Sequence, residues 1–185
     1  MRKSIASTAV ALSAAALTVG VTGIAYAELY GVDDPQDTFH GSDIRTLSVK
    51  NGRGNLHVIS GHEGLRRDPR TGSGGTVFID TDRDDWGPEF AFVGGFTRGT
   101  DYTLVETEGF HHTSWGDPVE HGDYIMDVRY KRDSVKFTMS RHAIGDPTKV
   151  RVAMKASGQR TDGTRHDLVD WVGQKRDFTP WIDQG

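Results

Sequence analysis

The densest run of side chains able to do chemistry is Asp80-Thr81-Asp82-Arg83-Asp84-Asp85-Trp86-Gly87-Pro88-Glu89. Calcium takes about six to eight oxygen ligands, and carboxylates clustered on one turn supply several of them. Asp80, Asp82 and Asp84 have the alternate spacing that opens a calcium loop, and Glu89 adds a fourth carboxylate. The match to the helix–loop–helix calcium motif then fails. Asp85 stands where that loop needs glycine, and Ala91 where it needs a bidentate glutamate. The run therefore reads first as an acidic turn, with aspartates capping backbone amides and Gly87-Pro88 shaping the reversal. Calcium is the one cofactor it suits, and no other is expected.

Other reactive groups are sparser. His111 and His112 lie in a polar stretch with Asp117, Glu120 and His121 nearby. Adjacent histidines on an extended chain point to opposite sides, so the pair reads as a hydrated loop and not as a metal site. Gly72-Ser73-Gly74-Gly75 lacks the aspartate that a protease serine turn carries before its nucleophile, and there is no Gly-x-Ser-x-Gly elbow. The chain has no cysteine, which excludes thiol chemistry. Paired acids for glycoside hydrolysis are available among 26 acidic residues, but no spacing singles out a pair.

Trp86 and Trp115 fall in expected loops, beside Gly87-Pro88 and Gly116-Asp117-Pro118. An exposed indole with carboxylates nearby is a physical basis for sugar binding: the flat face stacks on C–H groups while acids take the hydroxyls. Trp86 and Trp115 are thus the candidate ligand platform. The alternative is that they fold back over a sheet edge. Trp171 and Trp181 flank a late strand and read as packing residues.

The elements that must position these side chains are short strands. From Ile44 onward the chain repeats runs rich in Val, Ile, Phe, Tyr and Thr, broken by Gly, Asp or Pro. Ile44–Val49 and Leu56–Ile59 flank the hairpin signal Asn51-Gly52. Further strands are expected over Gly75–Asp80, Glu89–Phe96, Asp101–Glu106 and Tyr124–Tyr130. Tyr124, Met126, Val128 and Tyr130 keep period two, as do Val135, Phe137 and Met139, and then Val150, Val152 and Met154. Leu168–Val172 is either a last strand or one helical turn. No run of ten residues keeps a helical stripe. Gly64–Gly75 is the longest loop candidate, its Arg66, Arg67 and Arg70 solvated. The pattern predicts a mainly β fold, a single antiparallel β-sandwich of roughly eight or nine strands, with a β-barrel as the alternative.

Arg2 and Lys3 precede an uncharged stretch from Ile5 to about Ile24, and Ala25-Tyr26-Ala27 supplies the small-x-small pattern of a signal-peptidase site. Residues 1–27 are read as a signal peptide, 28–41 as a flexible leader and 42–185 as the sandwich domain. The expected product is secreted, extracellular, monomeric and free of the membrane after cleavage. The formal net charge is −4, and the signal carries two of the basic residues and none of the acids, so the remainder is more acidic still. That balance argues against nucleic acid, whose phosphates need concentrated Lys and Arg.

Val77-Phe78-Ile79-Asp80-Thr81-Asp82, Gly87-Pro88-Glu89-Phe90, Gly99-Thr100-Asp101-Tyr102, Asp170-Trp171-Val172-Gly173 and Phe178-Thr179-Pro180-Trp181 occur in this order. Together they resemble small, uncharacterised secreted proteins of actinomycetes, a resemblance spanning nearly all of the chain after residue 27 that carries no activity with it. The strand order is more distantly similar to family 9 carbohydrate-binding modules and DOMON-type sandwiches, which implies a fold and no site residues. The function expected is a non-catalytic domain binding a carbohydrate or another extracellular or envelope ligand. A small hydrolase using paired carboxylates and a protein-binding or inhibitory module are the alternatives.

Overall fold

A computed structural model describes residues 28–160 and 167–185; the expected signal peptide, 1–27, with Ala25-Tyr26-Ala27, lies outside the described residues. The described chain forms β1 (Glu28–Asp33), β2 (Ile44–Asn51), β3 (Asn55–His62), β4 (Gly74–Asp80), β5 (Phe90–Gly95) and β6 (Tyr102–Thr107). It continues through β7 (Trp115–Pro118), β8 (Tyr124–Arg129), β9 (Ser134–Ser140), β10 (Lys149–Gln159), β11 (Asp167–Trp171) and β12 (Ile182–Asp183). One sheet runs β1-β2-β3-β9-β8. The other runs β11-β10-β4-β5-β6-β7, with β12 also on β10. All pairings are antiparallel and neither sheet closes, so the protein is a β-sandwich and not a barrel.

The core follows from period two. Leu47 and Val49 of β2, Leu56 and Val58 of β3, and Val135, Phe137 and Met139 of β9 point inward from the first sheet. They meet Val77 and Ile79 of β4, Phe92 of β5, Leu104 of β6 and Val150, Val152 and Met154 of β10. A register shift between Ile44 and Thr46 changes the alternation, which lets Ile44 and Leu47 both reach the interior three positions apart. Gly75 also faces inward, and a Cβ there would collide with the ring of buried Phe96; the glycine is where that ring fits.

The second sheet is covered on its outer face too. Phe78, Ala91, Val105 and Ala153 form a smaller cluster under Phe110, Trp115, Trp171 and Phe178. Trp171 stacks on Phe78 with centroids 5.7 Å apart and planes 11° from parallel. Burial on both faces explains why β4 is buried from Gly75 to Asp80 without a break.

Three strands lack the apolar alternation used to find the others. The expected leader, 28–41, instead begins with β1, which pairs along β2 from Glu28–Asn51 to Asp33–Thr46. An edge strand is held by its main-chain hydrogen bonds and needs only a few buried side chains, so its composition reads as a loop. β7 and β12 escape notice for the same reason, and the strand total among the described residues is twelve, above the eight or nine expected.

Candidate functional site

An open cleft of about 740 Å³ lies at one end of the second sheet. It is built where three connections meet strand ends: the turn after β4, the β6–β7 connection and the β9–β10 connection. The β4–β5 turn supplies Thr81 and Asp82, and Glu89 follows just before β5. Glu89 is oriented by Thr81, whose N–H and Oγ1 donate to its Oε2 at 2.6 and 3.1 Å. Phe90 and Glu106 are cross-strand partners on β5 and β6, so they project on the same side at the cleft.

Thr107 fixes the second wall. Its Oγ1 donates to the carbonyls of Gly109 at 2.8 Å and Ser114 at 3.1 Å, and Glu108 N–H donates to Ser114 at 3.2 Å. Those bonds close the connection and bring Trp115 opposite Thr107 in the β6–β7 register. Trp115 lines the cleft while its ring packs on the outer cluster of the second sheet. Its Nε1 is buried and makes no hydrogen bond.

The cleft is thus acidic and part aromatic. Asp82, Glu89, Glu106 and Glu108 line it, with the hydroxyls of Thr81, Thr113 and Ser114, and no lysine or arginine is among its lining residues. Anionic ligands are opposed by that charge. Neutral polyols and cations are favoured, because carboxylates accept protons from both hydroxyl and ammonium donors.

The candidate residues of the acidic turn have separate partners. Asp80 is fully buried beneath the sheet's outer cover, where its Oδ2 receives Arg151 Nε at 2.6 Å and Nη2 at 2.5 Å. Burial pushes its carboxyl up to about 6 against the pull of Arg151, with Glu89 adding to the rise. Asp82 accepts the N–H of Asp84 at 2.9 Å, a side-chain cap of the kind expected for a turn, and Asp84 is exposed. Asp80, Asp82, Asp84 and Glu89 do not form a group with metal-ligand spacing; among the described residues the group that does is Asp37, Asp43 and Asp170.

The tryptophans divide. Trp86 is 77% exposed outside the cleft, edge-on to Phe110 at 6.4 Å, while Trp115 lines the cleft. Trp181 lies within 4.9 Å of the Arg151 guanidinium and helps cover the Asp80 pair. His111 and His112 are exposed with rings 4.3 Å apart, and His111 Nδ1 is 2.9 Å from Thr113 Oγ1. Glu106 and Glu108 escaped the sequence reading because no local spacing links them to Asp82 and Glu89; pairing of β5 with β6 does. The chain matches no known protein family and no curated protein.

Proposed function

We propose that this is a secreted, non-catalytic binding domain that holds a neutral or amino-substituted carbohydrate in the cleft bordered by Trp115. The observation that carries this reading is the convergence of Trp115 with Asp82, Glu89, Glu106 and Glu108 on one open cavity of about 740 Å³. Such a volume suits a short glycan segment, and ligand pockets of about 300–1,000 Å³ combine an apolar wall with a few oriented polar groups. The indole and Phe90 give a sugar its apolar contact, and the carboxylates take its hydroxyl protons.

A glycan array probed with the purified protein tests this, followed by calorimetric titration of any sugar retained. Neutral or amino-sugar glycans should bind, and Trp115→Ala should weaken them by about tenfold or more, the range for losing an aromatic anchor. Binding that is indifferent to Trp115→Ala, or confined to sulfated or uronate glycans, would sink the reading. Release of new reducing ends would replace it with the hydrolase alternative.

A further inference from the structure

A second group of acids stands apart from the cleft. Asp34, Asp37 and Asp43 lie on the connection from β1 to β2, and Asp170 is on β11 in the opposite sheet. Two hydrogen bonds tie these segments across the sandwich. Ile44 N–H, beside the register shift of β2, donates to Asp170 Oδ2 at 2.7 Å, and Gly173 N–H donates to Asp34 Oδ1 at 2.7 Å.

The geometry fits one ion. An oxygen from each of Asp37, Asp43 and Asp170 lies within 4.8 Å of the other two. Ligands about 2.4 Å from a calcium ion lie at most about 4.8 Å apart, so all three fit one coordination sphere. Asp43 is fully buried. Its Oδ1 accepts from the N–H groups of Asp37 and Thr38, both at 2.9 Å, but its Oδ2 receives no hydrogen bond. Asp34 is 7% exposed, and its Oδ2 is likewise buried and receives none. Arg45 Nη1 approaches Asp43 Oδ2 only to 3.6 Å, beyond hydrogen-bond reach.

Buried carboxylate oxygens without donors are costly unless something positive meets them. Asp34, Asp37 and Asp43 all bring their charge close to Asp170. These groups crowd one another's charge in a chain with no disulfide to hold its edges.

We propose that Asp37, Asp43 and Asp170 bind one hard divalent cation, calcium, which clamps the β1–β2 connection onto β11. An all-carboxylate set disfavours zinc and copper, which prefer nitrogen or sulfur donors. Ligands drawn from an irregular connection and a distant strand suit the flexible sphere of calcium better than the strict octahedron of magnesium. The ion would do at this edge what a disulfide does in other exported domains.

Thermal melting of chelator-treated protein tests the site, with calcium chloride or magnesium chloride added back to about 10 mM, the range of weak extracellular sites. Asp37→Asn and Asp43→Asn are compared with Asp82→Asn, which lies on the other acidic segment. Calcium should raise the melting temperature by roughly 5–10 °C at about a hundredfold ligand excess. Magnesium should raise it less. Asp37→Asn and Asp43→Asn should lose the gain and Asp82→Asn keep it. Asp37 is exposed, so its variant still reports on the site if Asp43→Asn does not fold. No calcium-dependent rise overturns the proposal. So does an equal rise with both salts that survives Asp37→Asn, which is charge screening, or a rise lost only in Asp82→Asn, which places the ion on the acidic turn.

Discussion

Asp80 and Arg151 face each other across the β4–β10 ladder, joined through Asp80 Oδ2 on the outer face of the second sheet. The Arg151 guanidinium lies 4.6 Å from the ring centroid of Phe178 and 4.9 Å from that of Trp181. The pair is thus roofed by aromatics from the C-terminal segment. Asp80 Oδ1 has no hydrogen bond, so Arg151 carries nearly all the compensation for this buried charge.

That relationship sets a first prediction. Arg151→Met should destabilise the domain by about 3–5 kcal/mol, because it leaves an unpaired carboxylate in an apolar cover. Adding Asp80→Asn should recover part of the loss, since removing both partners is far cheaper than removing one. Urea unfolding of the single and double variants measures the difference. The carboxyl of Asp80 already sits at about 6, and losing Arg151 pushes it higher. A raised carboxylate favours the fold as pH falls, so the Arg151→Met deficit should shrink between pH 7 and 5. Equal single and double deficits would show that the pair is not coupled.

The two halves of the β8–β9 hairpin separate pattern from depth. Tyr124, Met126, Val128 and Tyr130 share the inner face with Val135, Phe137 and Met139, as alternation predicts. Yet the β9 residues are fully buried and those on β8 only partly, because β8 is the sheet edge. Phe137→Ala should therefore cost about 3–5 kcal/mol. Val128→Ala removes a smaller, only partly buried side chain and should cost clearly less. Similar losses in urea unfolding would mean that β8 is covered in solution.

Alternation made most of the sandwich legible, because a half-buried strand must place every second side chain in the core. It was silent where main-chain pairing and only two part-buried side chains, Tyr30 and Val32, hold an edge strand, as in β1, or where a strand is buried on both faces. Asp80 shows the second difficulty. It looked like part of an exposed acidic turn, but its position two residues beyond Phe78 puts it beneath the outer cluster. Trp115 was legible as a candidate by its glycine-proline setting, while Glu106 and Glu108 joined it only through strand pairing. The aspartate group was out of reach altogether: 126 residues separate Ile44 from the Asp170 carboxylate that holds its N–H. Local sequence carries no trace of such a closure.

The last prediction concerns acid. His62 on β3 is buried, with Nε2 2.7 Å from Ser60 Oγ and its ring edge-on to Phe96 at 5.0 Å. Burial drives its pKa down to about 4, against smaller upward pulls from the Gly41 and Asp43 carbonyls and the Asp43 carboxylate. The folded protein therefore keeps His62 neutral where the unfolded chain, near 6.5, takes up a proton. Stability from this residue is complete above pH 6.5 and falls as pH drops towards 4, by up to about 3 kcal/mol. Asp34, Asp80 and Asp170 have raised values and act in the opposite sense, so the wild-type profile mixes both signs. His62→Gln, which keeps a partner for Ser60, isolates the histidine. Between pH 7 and 5 the wild type should lose about 2 kcal/mol more than the variant. In paired thermal melts that is roughly 4–8 °C for a domain of this size. Identical pH profiles for the two proteins would mean that the imidazole gains its proton inside the folded core.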